Sequence, residues 1–548
     1  MDEIQAFMAV CSSSARKARS REKKGPFEGG LVPMSNESRQ NSGSLQRHRG
    51  VVVSYVYTAA QAIVQLIYVP LLLSCIGQDE YGLYQLVGSI ISYLVSINGV
   101  LSSGISRYYC VYRAEGDYER ADNVLAISSR IYWLMSVVAV VACAALAVVA
   151  GQVYRNSFTP EQVFECQMML MVLGVNSIVT MHNTVSIAAI TAHERFVFLK
   201  GSQLATLLLQ PILVLALASV FHNALCVTLV ILLMNLLAAV LQKWYSATVL
   251  NVRPRYKGWD RSIVRALFGF SAAVVLATVA DQIFWKTDQL IIGYVYNASA
   301  VAVYSIGSQV YMAYMQLGLV ASSVFLPKVS LLWKDGAGVR EVSDLFARVG
   351  RIAFMVCFFV LGGFLVLGPD FMTMWAGPQY AESYLVAAVI MVPFTIDLIQ
   401  NLGITILMVA DKYYFRGAMY LVIAIFNVVT TIILLQLLGI VGAAISTAVA
   451  MFIGNGLIMN WYYSKKLGLN MRLYWSQVLR LLLPLLPVLV VFAWAYWALP
   501  IPHGTWGVFI FAGILYSIAY CSALWKFGFN SYERALIGGL LRRIGIGK

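Results

Sequence analysis

The chain is dominated by a succession of apolar runs, and each run is long enough to cross a bilayer as a helix. A membrane-spanning helix needs roughly 20 mostly apolar residues. Fourteen segments, numbered here in chain order, meet this requirement: 51–74, 83–106, 124–150, 163–191, 201–219, 224–242, 266–293, 301–326, 352–368, 385–409, 417–436, 440–463, 481–499 and 506–525. Because 60% of the residues are hydrophobic and only 12% are charged, the sequence predicts an all-α polytopic membrane protein with about 14 transmembrane helices.

The basic residues predict how these helices are oriented. With a cytoplasmic N-terminus, 36 of the 39 Lys and Arg residues fall in the tails or the cytoplasmic loops, as the positive-inside rule requires. Only Arg155 falls outside, and Arg130 and Lys286 fall within segments. We therefore expect both termini in the cytoplasm. The net charge of +14 does not indicate nucleic acid as a partner. Nucleic-acid binding requires a basic face on a folded soluble domain, whereas here the basic residues lie between apolar runs.

A weak internal repeat predicts two similar halves. A shift of 220 residues places 81–84 on 301–304, and a shift of 218 places Asn183 on Asn401, with corresponding loops on the same side. The lobes would be parallel and would flank a central cavity. The predicted organisation is a disordered basic cytoplasmic tail (1–50), an N-lobe of segments 1–6 (51–250), a cytoplasmic linker (251–265), a C-lobe of segments 7–12 (266–466), segments 13 and 14 (467–526) and a cytoplasmic C-terminal tail (527–548). Within the first tail, Met34 opens a compact lead-in, and we expect translation from Met34 to suffice.

Segment 7 carries a polar wedge that covers roughly 160° of the helix circumference. It consists of Asp281, Gln282, Lys286, Asp288 and Gln289. A charge at the bilayer centre costs about 2.5 to 3.5 kcal/mol, so the wedge must face protein or water. Lys286 either forms a salt bridge with Asp281 or Asp288, or serves as a cation for an anionic substrate in the central cavity. In the second case either aspartate would tune its charge or carry a coupling ion.

Two further polar groups point to the same cavity. In segment 1, Gln61, Gln65 and Tyr68 share one face, which fits either the cavity or interhelical hydrogen bonding. In segment 10, Asp397 lies one turn from Asn401, and an unpaired buried carboxylate is a candidate for ion coupling.

Arg107 ends segment 2 on the cytoplasmic side, where it is either a snorkelling anchor or a substrate contact.

No constellation in the sequence predicts an enzyme. The eight cysteines are scattered singly, without the close pairs of a metal or redox site, and no glycine-rich loop could cradle a nucleotide phosphate. We therefore expect no cofactor and no metal, and the energy for transport must come from a gradient or the membrane potential.

Four motifs give the chain a family resemblance: PLLL and IGQDEYGLY within 70–84, GISRY at 104–108, AHERF at 192–196 and TDQLIIG at 287–293. In this order, on these segments, they resemble the bacterial polysaccharide-biosynthesis flippases of lipid-linked oligosaccharides, which share a superfamily with the lipid II flippases and the multidrug and toxin extrusion antiporters. The similarity extends from 51 to about 470.

The resemblance implies a protein of the bacterial cytoplasmic membrane that moves an undecaprenyl-diphosphate-linked glycan through a cationic cavity by alternating access. The glycan would serve capsule, O-antigen or exopolysaccharide, and segments 13 and 14 would help to hold the lipid tail. Membrane lipids and a coupling H⁺ or Na⁺ are the implied partners. Lipid II flippases place arginines in segment 1, where this chain has Gln61 and Gln65. Lys286 is then the main intramembrane cation, with Arg107 at the entrance.

Two other functions compete with this interpretation. A cation-coupled multidrug antiporter could use Asp281, Asp288 and Asp397, although a buried lysine disfavours cationic substrates. A membrane glycosyltransferase or polymerase usually needs a sizeable outer loop, whereas the longest predicted here, 368–384, has about 17 residues.

Overall fold

A computed structural model describes residues 36–252, 254–323, 329, 332, 339–410, 412–500, 502–531, 533 and 534. These residues form helices and turns, with no strand among them. The α-helices are α1 (Asn36–Ala114), α2 (Tyr118–Val153), α3 (Pro160–Ala192), α4 (Phe196–Phe221), α5 (Ala224–Thr248), α6 (Arg261–Val295), α7 (Ala298–Ser323), α8 (Val339–Trp375), α9 (Ser383–Ile399), α10 (Leu402–Val409), α11 (Tyr413–Leu438), α12 (Ile440–Met451), α13 (Met459–Lys465), α14 (Met471–Leu479), α15 (Leu482–Ala498) and α16 (Trp506–Ala523). A 3₁₀ turn (Pro378–Tyr380) and π-helices (Phe452–Ile458 and Leu524–Gly528) complete them.

The predicted all-helical membrane fold is confirmed. Within the described part of the chain, ten helices are long and apolar enough to cross a membrane, or eleven if the bent pair α9–α10 is one span. Every predicted segment overlaps a helix, but segments 1 and 2 both fall within α1, which changes direction at Gly77 (φ 81°, ψ 178°). The count of 14 is therefore not confirmed.

Local turn chemistry separates two helix pairs that the hydropathy alone would merge. His222 adopts the left-handed conformation (φ 55°) after α4, and the Asn223 side chain then caps α5. Gly439 has a φ of 68° between α11 and α12, which suits glycine because it has no Cβ. Both predicted hairpins, at 220–223 and 437–439, are therefore present.

The first helix begins earlier than the sequence predicts. α1 starts at Asn36, so residues 36–50, which we assigned to the disordered tail, continue the helix. No proline interrupts the chain between 36 and 69, and a helix in progress extends at little cost. Residues 1–35, including Met34, and residues 535–548 of the C-terminal tail lie outside the described residues.

The chain divides into two compact units, Met1–Ala302 and Val303–Lys548. The first unit includes α6, whereas the predicted boundary between lobes, 251–265, precedes this helix. Side chains of α1 and of Tyr154, which directly follows α2, hydrogen-bond to α6, which explains its inclusion. The grouping into lobes of six helices stays a prediction.

In the second unit, the C-terminal helices are fixed to α8. Arg351 of α8 forms a buried ion pair with Glu533 (Nε to Oε1, 2.8 Å). Further along α8, Asp370 accepts hydrogen bonds from Tyr496 of α15 and from His503 Nδ1 at 3.2 Å. Segments 13 and 14 are therefore an integral part of this unit.

Candidate functional site

One edge of the polar wedge in α6 packs against the second half of α1. Ser89 donates a hydrogen bond to Gln289, and the hydroxyls of Tyr93 and Thr287 are 2.8 Å apart. Asp288 and Gln289 are each only 1% exposed. This part of the wedge faces protein, as the cost of exposing polar groups to lipid requires.

Lys286 lies beside this contact and is half-buried in α6. It forms no ion pair or hydrogen bond with any residue that the structure describes. The salt bridge to Asp281 or Asp288, which was one of the two interpretations of the sequence, is not formed. Asp281 is exposed and Gln282 is half-buried. One part of the wedge is thus buried against α1, and beside it lies a lysine that has no anionic partner among the described residues.

The polar stripe in the first half of α1 is only partly enclosed. Gln61 and Gln65 are exposed, whereas Tyr68 is half-buried. Tyr68 lies close enough to Tyr81 and Tyr84 for their hydroxyls to interact electrostatically, so it faces the second half of the same helix. The three residues therefore do not form one buried cluster.

Arg107 is exposed near the end of α1. One and a half turns later, Arg113 donates a hydrogen bond to His193, the residue that follows α3. His193 Nδ1 is 2.8 Å from the Ala189 carbonyl oxygen, so Nδ1 carries the proton and Nε2 accepts from the guanidinium. Burial, aided by Arg113, lowers the pKa of His193 to about 4. A neutral histidine and an arginine thus join α1 to α3, a contact that the sequence did not reveal.

Asp397 belongs to the second unit, where a charged and a polar side chain lie near it. We expected an unpaired carboxylate, and Arg416 and the Tyr420 hydroxyl are close enough to interact electrostatically with it. Arg416 Nη2 also donates to Tyr420 Oη at 3.2 Å. Counting Arg416 as a loop residue hid this partner, although its i, i+4 spacing from Tyr420 on one helix would have suggested a pair.

The chain around Asp397 is irregular. The helix breaks at Gln400 and Asn401, and α10 leaves at 44° to α9. Across from the break, Asn455 of the π-helix donates to Tyr420 Oη at 3.2 Å. Broken helices and π-helices recur at binding sites in transport proteins, so half-buried Asn401 stays a candidate by position.

The sequence did not identify Ser89 and Tyr93, the partners of the wedge. Their types are common in membrane helices, and only the packing of α6 on α1 makes them specific. Among the described residues, no group of three or more His, Cys, Asp or Glu side chains could hold a metal ion.

Many helices long enough to cross a membrane, with charged and polar side chains buried among them, are typical of multi-pass membrane transport proteins. Comparison with solved structures agrees. A structure described as the lipid II flippase MurJ in an inward closed conformation has a TM-score of 0.70 at 14% identity, and the match covers 87% of this chain and 99% of that one. An inward-facing multidrug resistance MATE family transporter of the MOP superfamily has a TM-score of 0.62 at 13% identity, with coverage of 75% and 95%. A MOP superfamily transporter from Pyrococcus furiosus has a TM-score of 0.52 at 14% identity, with coverage of 79% and 94%.

The sequence itself matches the family described as "Polysaccharide biosynthesis protein" over residues 71–385, more than half of the chain. No curated protein matches it significantly. The chain belongs to the polysaccharide biosynthesis protein family, and its relatives in structure are transporters and flippases.

Proposed function

We propose that this protein flips undecaprenyl-diphosphate-linked oligosaccharide repeat units across the bacterial cytoplasmic membrane by alternating access. The product would supply capsule, O-antigen or exopolysaccharide synthesis. Membership of the polysaccharide biosynthesis family and the fold shared with a lipid II flippase support this proposal. The distribution of basic residues supports cytoplasmic termini.

The observation that carries the proposal is the state of Lys286. Removing a lysine from water without an anion to pair it is costly, so such a site favours an anionic ligand. Lys286 is half-buried and has no ion-pair partner among the described residues. A diphosphate-linked glycan presents the required negative charge. Arg107, Gln61, Gln65, Tyr68, Gln282, Gln289 and Asn401 are further candidate contacts.

The ion-coupling candidates differ in how they are held. Asp288 is buried against α1, and its carboxylate lies near the Tyr93 hydroxyl. Asp397 already interacts with Tyr420 and Arg416. Asp281 is exposed. Asp288 is therefore the residue at which we place coupling to H⁺ or Na⁺, because a buried carboxylate beside the substrate cation can sense its occupancy.

The geometry disfavours the glycan polymerase. Most of the longest predicted outer loop, 368–384, is helical: α8 runs to Trp375 and the 3₁₀ turn occupies Pro378–Tyr380. Too little irregular chain is left there for a catalytic domain.

Replacement of Lys286 tests the proposal. A hydrogen bond to a charged group contributes about 1.5 to 3 kcal/mol, so Lys286→Ala should slow glycan export by roughly 10- to 100-fold. Lys286→Arg keeps the charge and should retain much of the activity. The matched control is Lys243→Ala, which removes an exposed lysine from α5 and should have no effect.

Export is measured as surface glycan in a bacterial strain that lacks its own flippase. A fluorescent lipid-linked oligosaccharide in proteoliposomes supplies a direct assay. Undiminished export by Lys286→Ala contradicts the role of this residue. Loss of drug resistance in the same variant, with export unchanged, would instead identify a multidrug antiporter, and glycan polymerisation by the purified protein would identify an enzyme.

A further inference from the structure

The turn at Gly77 fastens α1 to the beginning of α7. Ser299 Oγ donates a hydrogen bond of 2.5 Å to Asp79 Oδ1, and Gln78 Nε2 donates to the Ser299 carbonyl oxygen at 3.4 Å. Both residues of α1 directly follow the change of helix direction. The topology predicted from the basic residues places both turns, before 83 and at 296–298, on the outer side.

Gly82 allows the two helices to approach until their backbones touch. A Cβ at this position would lie 1.8 Å from the carbonyl oxygen of Ala298, a separation that no real side chain shows. By contrast, a Cβ at Gly88, on the same helix, would meet nothing within 4 Å. The contact between α1 and α7 therefore depends on the absence of a side chain at Gly82.

A second close approach continues this contact. A Cβ at Gly293, near the end of α6, would lie 2.3 Å from Leu86 Cδ1 and 3.3 Å from Val301 Cγ2. Val301 is fully buried. Leu86, Gly293 and Val301 thus form a tightly packed junction of α1, α6 and α7.

On one side of this junction, α1 is firmly joined to the other helices of the unit. Glu80 Oε2 accepts a hydrogen bond of 2.8 Å from the backbone N–H of Ala224, and Glu165 of α3 accepts one of 2.9 Å from Leu225. Both carboxylates lie at the N-terminus of α5, where negative charge is favoured. They tie α1, α3 and α5 together.

On the other side, α6 is held by separate hydrogen bonds from the turn that follows α2. Ser157 Oγ donates to the Tyr294 carbonyl oxygen at 2.5 Å, and Tyr154 Oη donates to that of Leu290 at 3.3 Å. None of the ion pairs between described residues lies at this contact. A contact of this kind can separate and form again, because no buried charge loses its partner when it opens.

We propose that the contact of residues 78–86 with residues 290–301 is a reversible gate, closed in this structure, and that Gly82 is the residue that lets it shut. The α6–α7 turn moves away from α1 when the gate opens, while α1, α3 and α5 stay together. The gate rests on the proposed function, since its closure would seal the outer side of the glycan pathway.

The experiment compares Gly82→Ala with Gly88→Ala. Both replace a glycine in α1 by a better helix former, so their effect on helix stability is matched. The reporter is Val301→Cys in a chain whose native cysteines are replaced by serine, labelled in proteoliposomes by a bulky, membrane-impermeant maleimide. We expect Gly82→Ala to speed labelling and to abolish glycan export, and Gly88→Ala to leave both unchanged.

Two further variants keep the test decisive. If Gly82→Ala fails to fold, Asp79→Ala removes an exposed acceptor of the same contact and should also speed labelling. In an Asp79→Cys/Ser299→Cys protein, a short reducible cross-linker should stop export until it is cleaved. The gate proposal is overturned if the Gly82→Ala and Asp79→Ala variants are labelled as slowly as the parent protein. It is also overturned if the cross-linked protein still exports glycan. If the reporter protein that keeps Gly82 exports no glycan, while Gly82→Ala still speeds its labelling, the proposed function is overturned and the gate stands.

Discussion

The anchor between α8 and the C-terminal helices leads to a quantitative prediction. The side chains of Arg351 and Glu533 are only 8% and 5% exposed, and their second contact, Nη2 to Oε2, is 3.1 Å. The guanidinium also donates to the carbonyl oxygens of Gln477 at 2.8 Å and Gly528 at 2.9 Å. Arg351 therefore has four hydrogen bonds in a place with little access to water.

Arg351→Met should lower the free energy of unfolding by about 3 to 5 kcal/mol, because it leaves a buried carboxylate without its counter-charge. Among the described residues, the Glu533 carboxylate would keep only the hydrogen bond from the Asn530 backbone N–H, at 2.9 Å. Arg351→Met/Glu533→Met removes both charges, so the double variant should lose about 2 to 3 kcal/mol less than the sum of the single variants.

The assay is reversible unfolding in detergent micelles, followed by tryptophan fluorescence, with all four members of the cycle measured together. Arg340→Met is the matched control, since Arg340 is an exposed arginine near the start of the same helix. A cost below about 1 kcal/mol for each single variant, as expected for exposed charges, would refute the view that this pair anchors the C-terminal helices.

Two more perturbations probe other contacts. Burial lowers the pKa of His193 to about 4, so on acidification this side chain is protonated in the unfolded chain before it is protonated in the folded one. The free energy of unfolding should therefore fall as the pH drops from about 6.5 towards 4. His193→Gln should make this pH dependence weaker when unfolding is measured at a series of pH values. Gly350→Ala would place a Cβ 2.4 Å from the ring of Tyr474 and should cost about 1 to 3 kcal/mol in thermal unfolding. Gly513→Ala has open space around it and should stabilise the protein by up to about 1 kcal/mol, because alanine is the better helix former. Equal effects of the two substitutions would contradict the overpacking.

Helix positions followed from the sequence because bilayer thickness and backbone hydrogen bonding leave few choices. The shortest turns also carry a sequence signal. Gly439 tolerates a positive φ, and His222 directly precedes Asn223, which caps the next helix. The start of α1 was harder to place, since a polar stretch carries no burial signal and can still continue a helix that has begun.

Contacts within the site were less predictable. Charge in a membrane helix must face protein or water. Buried Asp288 faces protein, whereas Asp281, two turns away, is exposed, so the rule alone does not predict which charges are buried. The partners Ser89 and Tyr93 depend on which helix packs against α6, and a single sequence does not contain that information.

The interior charges of this chain differ in one respect that bears on function. Arg351 donates four hydrogen bonds to protein acceptors, so a ligand could reach it only by breaking contacts that already compensate for its burial. Asp397 has Arg416 and Tyr420 near it. Lys286 has no such contacts among the described residues, and an arriving anion would therefore gain the whole of the interaction. A charge with many partners, such as Arg351, holds the helices in place, whereas Lys286 is suited to respond to a substrate that comes and goes.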